Sequence, residues 1–114
     1  MEGENLVVLI TSAGLGSGSE ELGEILMRSF LKTIASSEPL PSTLLFLNGG
    51  VRLTLDGSPL IEDLIRLERA GVRIFSCGTC LDYFEVKDRL KVGSVGNMAD
   101  TVSILARADR ILHP

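Results

Sequence analysis

The stretch that decides the fold lies at residues 75–83, FSCGTCLDY, and it holds both cysteines of the chain. The apolar run at 72–75 that leads into it predicts a short buried strand. Gly78 then interrupts the strand, and the residues from Cys80 onward predict the start of a helix. A thiol at such a junction lies near unpaired helix N–H groups, which favour thiolate over thiol. We therefore expect chemistry, rather than packing alone, at this point of the chain.

Strand and helix patterns alternate outward from this junction over the whole chain. Strands are predicted at residues 6–10, 43–47, 72–76, 91–95 and 109–112. Helices are predicted at 20–35, 59–70, 81–90 and 98–107, the third of them broken near residues 85–86, with Ser58 capping the second and Gly71 ending it. The alternating apolar residues Val51, Leu53 and Leu55 predict a short extended segment over the core. Alternation of strands and helices predicts an α/β fold with a mainly parallel sheet covered on both faces.

Length and composition limit the possible functions. The 114 residues suffice for one domain, residues 1–114, and the net charge of −4 provides no field to hold nucleic acid or an anionic membrane surface. No apolar run approaches the roughly 18 residues of a membrane helix, and the acidic residues 1–4 are unlike a signal peptide. Two cysteines in a chain without a signal-peptide pattern indicate a reducing, cytoplasmic location. The high apolar share, 45%, indicates buried strands or a subunit interface.

The loops that follow the predicted strands carry glycine and polar residues. In a parallel sheet, ligands and catalytic groups collect at the carboxyl ends of the strands. We therefore predict one site on this rim, with Cys77 and Cys80 as the catalytic residues. The other residues expected along the rim are Gly14, Gly16, Gly18, Asn48, Gly49, Gly50, Gly78, Thr79 and Asn97.

The spacing of Cys77 and Cys80 allows a disulfide, half of a metal site, or a nucleophile with a neighbouring thiol. Zinc needs four ligands and only His113 remains, so no metal site is predicted. Thioredoxin-like chemistry fits the spacing, but here the motif follows the third strand rather than an early one. Two inert buried thiols are the simplest structural alternative. Gly78, between the two cysteines, and the strand-to-helix junction argue against that alternative.

The glycine-rich loop at residues 14–19 resembles a dinucleotide-binding turn only weakly. Ser19 occupies the place of the last glycine, and Glu20 and Glu21 put negative charge where a pyrophosphate would lie. We therefore predict no cofactor and interpret the loop as a turn over the rim. A lid whose backbone amides meet a persulfide or a small anion is the alternative.

Three polar residues have a structural interpretation beside the functional one. Asn48 is predicted in a turn that needs a positive φ, from which it could reach the rim. Asn97 forms a predicted capping pair with Asp100 at a helix start. His113, near the end of the chain, is predicted to be a solvated tail residue.

The chain resembles the DsrE-like superfamily, and most closely the carboxyl-terminal domain of the YedF family of selenium-metabolism proteins. The matching segments are GSEELG (18–23), FLNGGV (46–51), CGTCLDY (77–83), VG (92–93) and NM (97–98). The resemblance implies a three-layer α/β/α sandwich with a five-stranded sheet and assembly into oligomers. It also implies kinship with sulfur-relay subunits, in which the cysteine at the position of Cys77 accepts a persulfide. Cys80 has no counterpart in many of those subunits, so its role stays open.

YedF-family proteins usually begin with a domain that carries a Cys-Pro-x-Pro motif, and no cysteine precedes Cys77 here. The main hypothesis is a sulfur or selenium carrier in which Cys77 takes the atom from a protein donor and gives it to a protein acceptor. Cys80 would then resolve or tune the loaded species. A dithiol–disulfide redox module and a non-enzymatic binding or regulatory subunit are the alternatives.

Overall fold

The computed structural model describes residues 5–114, which form five strands, four α-helices and two 3₁₀ helices. The strands are β1 (Leu6–Ile10), β2 (Thr43–Phe46), β3 (Arg73–Cys77), β4 (Ser94–Gly96) and β5 (Arg110–Leu112). The α-helices are α1 (Glu20–Ala35), α2 (Ile61–Arg69), α3 (Gly78–Tyr83) and α4 (Met98–Arg107). The 3₁₀ helices are Asn48–Thr54 and Lys87–Arg89.

The five strands form one sheet in the order β4-β3-β2-β1-β5, and every neighbouring pair is parallel. The predicted α/β class with a parallel five-stranded sheet is therefore confirmed. In the register of the central strands, Phe46 pairs with Ser76 and Cys77 pairs with Gly96. All the carboxyl ends consequently lie along one edge of the sheet, so the loop after β2 adjoins the start of α3.

Helices cover both faces of the sheet. On one face, Leu44 and Ile74 pack in a single buried cluster with Met27 of α1 and with Leu64 of α2. Side chains alternate along a strand, so the neighbours of Ile74, Arg73 and Phe75, face the other way. There they line a cavity with Ser103, Ile104 and Arg107 of α4. This is the three-layer α/β/α arrangement.

The prediction of an extended segment at Val51, Leu53 and Leu55 is wrong for Val51 and Leu53, because residues 48–54 form a 3₁₀ helix. Leu55 is extended and forms a single antiparallel bridge with Leu90. Residues three apart share a face of such a helix, and Val51 and Thr54 are both fully buried. Arg52 is exposed between two buried neighbours, which produces the same alternation as a strand.

The second helix begins later than predicted. Its N-cap is Leu60, and the Ser58 hydroxyl accepts a hydrogen bond from the Leu60 N–H at 3.1 Å rather than capping the helix itself. The predicted end is confirmed, since Gly71 follows the helix with φ 103°. The N–H groups of Gly71 and Val72 donate back to carbonyls of the last turn, which satisfies the helix end.

The third helix is shorter than the predicted 81–90 and starts at Gly78 rather than at Cys80. It stops because Glu85 adopts φ 57°, a left-handed conformation that ends helices. The N–H groups of Glu85 and Val86 donate to Asp82 and Leu81, and the side chains of Val86 and Leu81 are both buried in the core. The following strand, β4, begins at Ser94 rather than at residue 91.

Residues 5–114 contain no helix of the length and apolarity that crossing a membrane requires.

Gly50 marks the closest approach between the loop after β2 and the end of β1. A Cβ atom at this position would lie 2.2 Å from the Ile10 carbonyl oxygen, whereas one at Gly49 would lie no closer than 3.8 Å to any neighbouring atom. We predict that Gly50→Ala lowers the free energy of unfolding by about 3 kcal/mol or more, through overpacking against backbone. Urea unfolding measures this change, with Gly49→Ala as the matched control. Equal stability of the two variants would contradict the close approach.

Candidate functional site

Cys77 lies at the junction between β3 and α3. It is the last residue of the strand and the N-cap of the helix, and it is only 6% exposed. Gly78 lets the helix start close to β4, since a Cβ atom there would lie 3.0 Å from Val95 Cγ1 and 3.2 Å from the Gly96 carbonyl oxygen. Cys77 is therefore buried, although it lies at the predicted rim of the sheet.

Cys80 lies one turn further along α3 and is only partly buried. It lines an open groove of about 450 Å³ together with Asn48, Thr79, Tyr83 and Phe84. The Asn48 backbone N–H donates a hydrogen bond to Cys80 Sγ over 3.1 Å. The thiol that a reactant can reach in the described chain is thus Cys80, and it carries one fixed backbone donor.

The electrostatic surroundings of Cys80 act in opposite directions. Burial of the thiol is the largest effect and raises its pKa above the ordinary value of 9.0. The Asn48 N–H lowers this pKa, while the neighbouring Cys77 thiol raises it. The net result is a raised pKa, so Cys80 rests as a neutral thiol near pH 7. Both cysteines are free thiols.

Asn48 reaches Cys80 because of the register between β2 and β3. Phe46 pairs with Ser76, and the chain leaves each strand soon after this pair. Asn48 then adopts φ 51°, as the sequence predicted, and turns the backbone into the 3₁₀ helix. A buried hydrogen bond of 2.8 Å between Thr54 Oγ1 and Ser76 Oγ ties that helix to β3.

Aromatic side chains form one wall of the groove. Tyr83 is 81% exposed, and its ring meets the Phe84 ring edge to face, with the centroids 5.5 Å apart. The Arg52 guanidinium lies 4.6 Å from the Phe84 ring centroid, a cation–π contact. Phe84 and Arg52 were not predicted as site residues. The only sequence signal for Arg52 was that it is a charged residue between two apolar ones. We interpreted that pattern as the alternation of an extended segment and not as a site residue.

The structure separates the predicted rim residues into groups. Asn48, Thr79 and Cys80 line the groove. Gly50 and Gly78 allow close packing beside it, whereas Gly49 has room for a Cβ atom. Gly14, Gly16 and Gly18 do not line the groove. Gly14 packs against Gly23 of α1, where a Cβ atom would lie 3.4 Å from the Gly23 carbonyl carbon. Gly16 and Gly18 have positive φ, and a Cβ atom at either position would meet no neighbour within 4 Å, as in an exposed turn.

The side chain of Asn97 is engaged at the start of α4. Its Oδ1 accepts from the Asp100 N–H at 2.8 Å, so the predicted capping pair is confirmed. His113 is exposed but not isolated, because its Nε2 lies 3.2 Å from Thr11 Oγ1. Three strand spacings separate β5 from β3 in the sheet order, which is roughly 14 Å. His113 is therefore too far from the cysteines to act as their base.

Among residues 5–114, no group of three or more histidine, cysteine, aspartate or glutamate side chains is placed to hold a metal ion.

Comparison with known proteins identifies a family for nearly the whole chain. The sequence model of the DsrE/DsrF-like family matches residues 6–114. The comparison with curated proteins gives no match.

Two solved structures share the fold. The crystal structure of the ychN protein from E. coli superposes with a TM-score of 0.69 at 20% identity, over 97% of this chain and 99% of that one. MTH1491 from Methanobacterium thermoautotrophicum, described as a protein of unknown function, superposes with a TM-score of 0.71, also at 20% identity and over 97% and 99% of the chains. At this identity the similarity shows the fold alone.

The raised pKa of Cys80 predicts how its alkylation depends on pH. Because the thiolate is the nucleophile, the rate of reaction with iodoacetamide should rise with pH to a midpoint above the ordinary value of 9.0. Fragment-ion mass spectrometry of the alkylated protein measures the rate at Cys80. In Cys77→Ala one of the raising effects is removed, so the midpoint should fall. A midpoint below the ordinary value in the parent protein would contradict the assigned surroundings.

Proposed function

The chain belongs to the DsrE/DsrF-like family, and on that premise we propose that it carries sulfur or selenium as a persulfide on Cys77, with Cys80 as the second thiol. The family is generally related to sulfur relay. The observation that carries the proposal is the arrangement of the two thiols. One thiol lines an open groove, the other is buried beside it, and both are free.

This arrangement suits a carrier because the two thiols have different access. Thiol exchange depends on the access of the attacking group and on which sulfur it attacks. A sulfur atom bound to Cys77, which is 6% exposed, would be shielded from small thiols in solution. It could leave again by exchange with the neighbouring Cys80 thiol, which an acceptor reaches from the groove. Burial thus favours retention, and the neighbouring thiol gives a route for transfer.

The partners of this function are proteins that give and take the atom. The donor would be a protein that presents a persulfide, and the acceptor would be a cysteine of another protein. The finer proposal is a role in selenium metabolism of the YedF type, which rests on the CGTCLDY segment at residues 77–83. A donor that offers sulfur and selenium in competition would measure the preference for one atom.

We also propose that the chain assembles with copies of itself. Apolar side chains around α4 are exposed, with Val95 at 46%, Met98 at 56% and Val102 at 57%. Burial of such side chains between copies would stabilise an oligomer. Light scattering of the purified protein measures its mass in solution.

A dithiol–disulfide module is the second candidate, favoured by the placement of two free cysteines about one helical turn apart at the start of α3. It requires that the pair oxidise reversibly at the potentials of known oxidoreductases. Equilibration in glutathione buffers, followed by counting of free thiols, separates the two candidates. A pair that stays reduced throughout rejects this second function and leaves the carrier intact.

We predict that the protein retains one sulfur atom after incubation with a cysteine desulfurase and cysteine, followed by a brief glutathione wash. Cys77→Ala should lose most of the added atom in the wash, because only the accessible thiol remains to hold it. Intact mass before and after the wash measures the retention. The double variant Cys77→Ala/Cys80→Ala is the control for sulfur bound elsewhere. If Cys77→Ala keeps the atom through the wash as well as the parent protein does, Cys77 is not the carrier thiol.

A further inference from the structure

Cys80, rather than Cys77, is the thiol that a donor persulfide meets first. It lines the groove with Thr79, Tyr83 and Phe84, whereas Cys77 is not among the groove residues and is 6% exposed. A donor sulfur that enters along the groove therefore reaches Cys80 before it could reach Cys77. Exchange requires near-linear approach of the attacking sulfur to the sulfur it attacks, which makes access decisive.

The groove also supplies a group that stabilises charge on the Cys80 sulfur. The Asn48 N–H already points at Cys80 Sγ over 3.1 Å and is held there by the backbone turn. A hydrogen bond to an ionised acceptor is roughly twice as strong as one between neutral groups. The interaction consequently strengthens when the thiol ionises, and no side chain has to move to form it.

We infer that Cys80 is the receiving thiol of the carrier, that the Asn48 amide stabilises its thiolate, and that the acquired sulfur then passes inward to Cys77. This inference rests on the proposed persulfide function. Cys80 is a catalytic residue in this scheme, and Asn48 acts on it through the main chain.

The two steps balance without an oxidant or a reductant. In the first, the Cys80 thiolate attacks the outer sulfur of a donor persulfide R–S–SH. The bond between that sulfur and R–S breaks, R–S⁻ leaves with the electron pair, and it takes up the proton that Cys80 released. In the second, Cys77 loses its proton, its thiolate attacks the outer sulfur of the Cys80 persulfide, and Cys80 leaves as the thiolate and takes up the proton that Cys77 released. The products are the persulfide of Cys77 and free Cys80, and the net change is transfer of one sulfur atom.

The positions of the two cysteines favour the second step. Cys77 is the N-cap of α3 and Cys80 is the third residue of the same helix, so the two residues are about one helical turn apart. The donor in this scheme needs a persulfide on an accessible side chain or small molecule, because the groove is open and one of its walls is aromatic. It does not need to reach the buried end of β3.

The test compares the initial loading rates of the two single-cysteine variants. With the desulfurase and cysteine as the sulfur source, Cys77→Ala should begin to load at the rate of the parent protein. Cys80→Ala should load at about one tenth of the parent rate or more slowly still, because the remaining thiol is poorly accessible. Intact mass at short times, without a wash, measures both rates. Loading of Cys80→Ala at the parent rate would overturn the inference while leaving the carrier function standing.

A second arm does not depend on the proposed function. Iodoacetamide should alkylate Cys77→Ala about tenfold faster than Cys80→Ala at the same pH, since access limits the buried thiol. Circular dichroism of both variants establishes that they are folded. If the parent protein never gains sulfur but the alkylation rates differ as stated, the carrier function fails and the order of access holds. Equal alkylation rates would overturn the order of access itself.

Discussion

The parallel pairing of β3 between β2 and β4 is the constraint on which the rest of the site depends. It sets Phe46 opposite Ser76 and Cys77 opposite Gly96, so that the chain segments leaving β2 and β3 emerge side by side. Two residues beyond Phe46 the Asn48 N–H is placed on the sulfur of Cys80, 3.1 Å away. A shift of the register by one residue would turn the side chains of the strand to the opposite face and remove this contact.

Glycines allow the segments around these strands to pack closely, and buried hydroxyl groups join them by hydrogen bonds. Gly50 lies against the Ile10 carbonyl, and Gly78 lies against Val95 and Gly96 of β4. The Thr54 hydroxyl donates to the Val51 carbonyl at 2.7 Å, so it accepts the buried hydrogen bond from the Ser76 hydroxyl. Because such groups are costly to leave unpaired in the interior, they fix the 3₁₀ helix against the end of β3. The backbone donor to Cys80 is thus held by a segment with internal hydrogen bonds.

Most of the fold was predictable from the sequence because its signals are local. The apolar run at Leu6–Ile10, the 3.6-residue period of the apolar positions in α1, and the stop at Gly71 each indicate one structure only. The errors arose where two structures share a pattern. Buried and exposed residues alternate through 51–53 in the 3₁₀ helix as they would in a strand. The early end of α3 depends on a positive φ at Glu85. Glycine or asparagine would have indicated this conformation in the sequence, but glutamate does not.

The candidate site was predictable in position but not in its internal order. The rule that parallel strands gather functional groups at their carboxyl ends correctly brought Asn48 and Thr79 to Cys80. It could not tell which of the two thiols is accessible, since that depends on how tightly α3 packs against β4. Nor could it show that the loop of Gly14, Gly16 and Gly18 packs through Gly14 against α1 and not on the groove. Glycines indicate that a loop can adopt many conformations, but they do not indicate which one it adopts.

The most direct test of this account is to follow one added sulfur atom in the parent protein through time. The protein is loaded by the desulfurase, trapped with iodoacetamide at successive times, and fragmented so that the two thiols are read separately. The account predicts that the added sulfur is found first on Cys80 and then accumulates on Cys77. Appearance on Cys77 from the earliest time, without passage through Cys80, would contradict it.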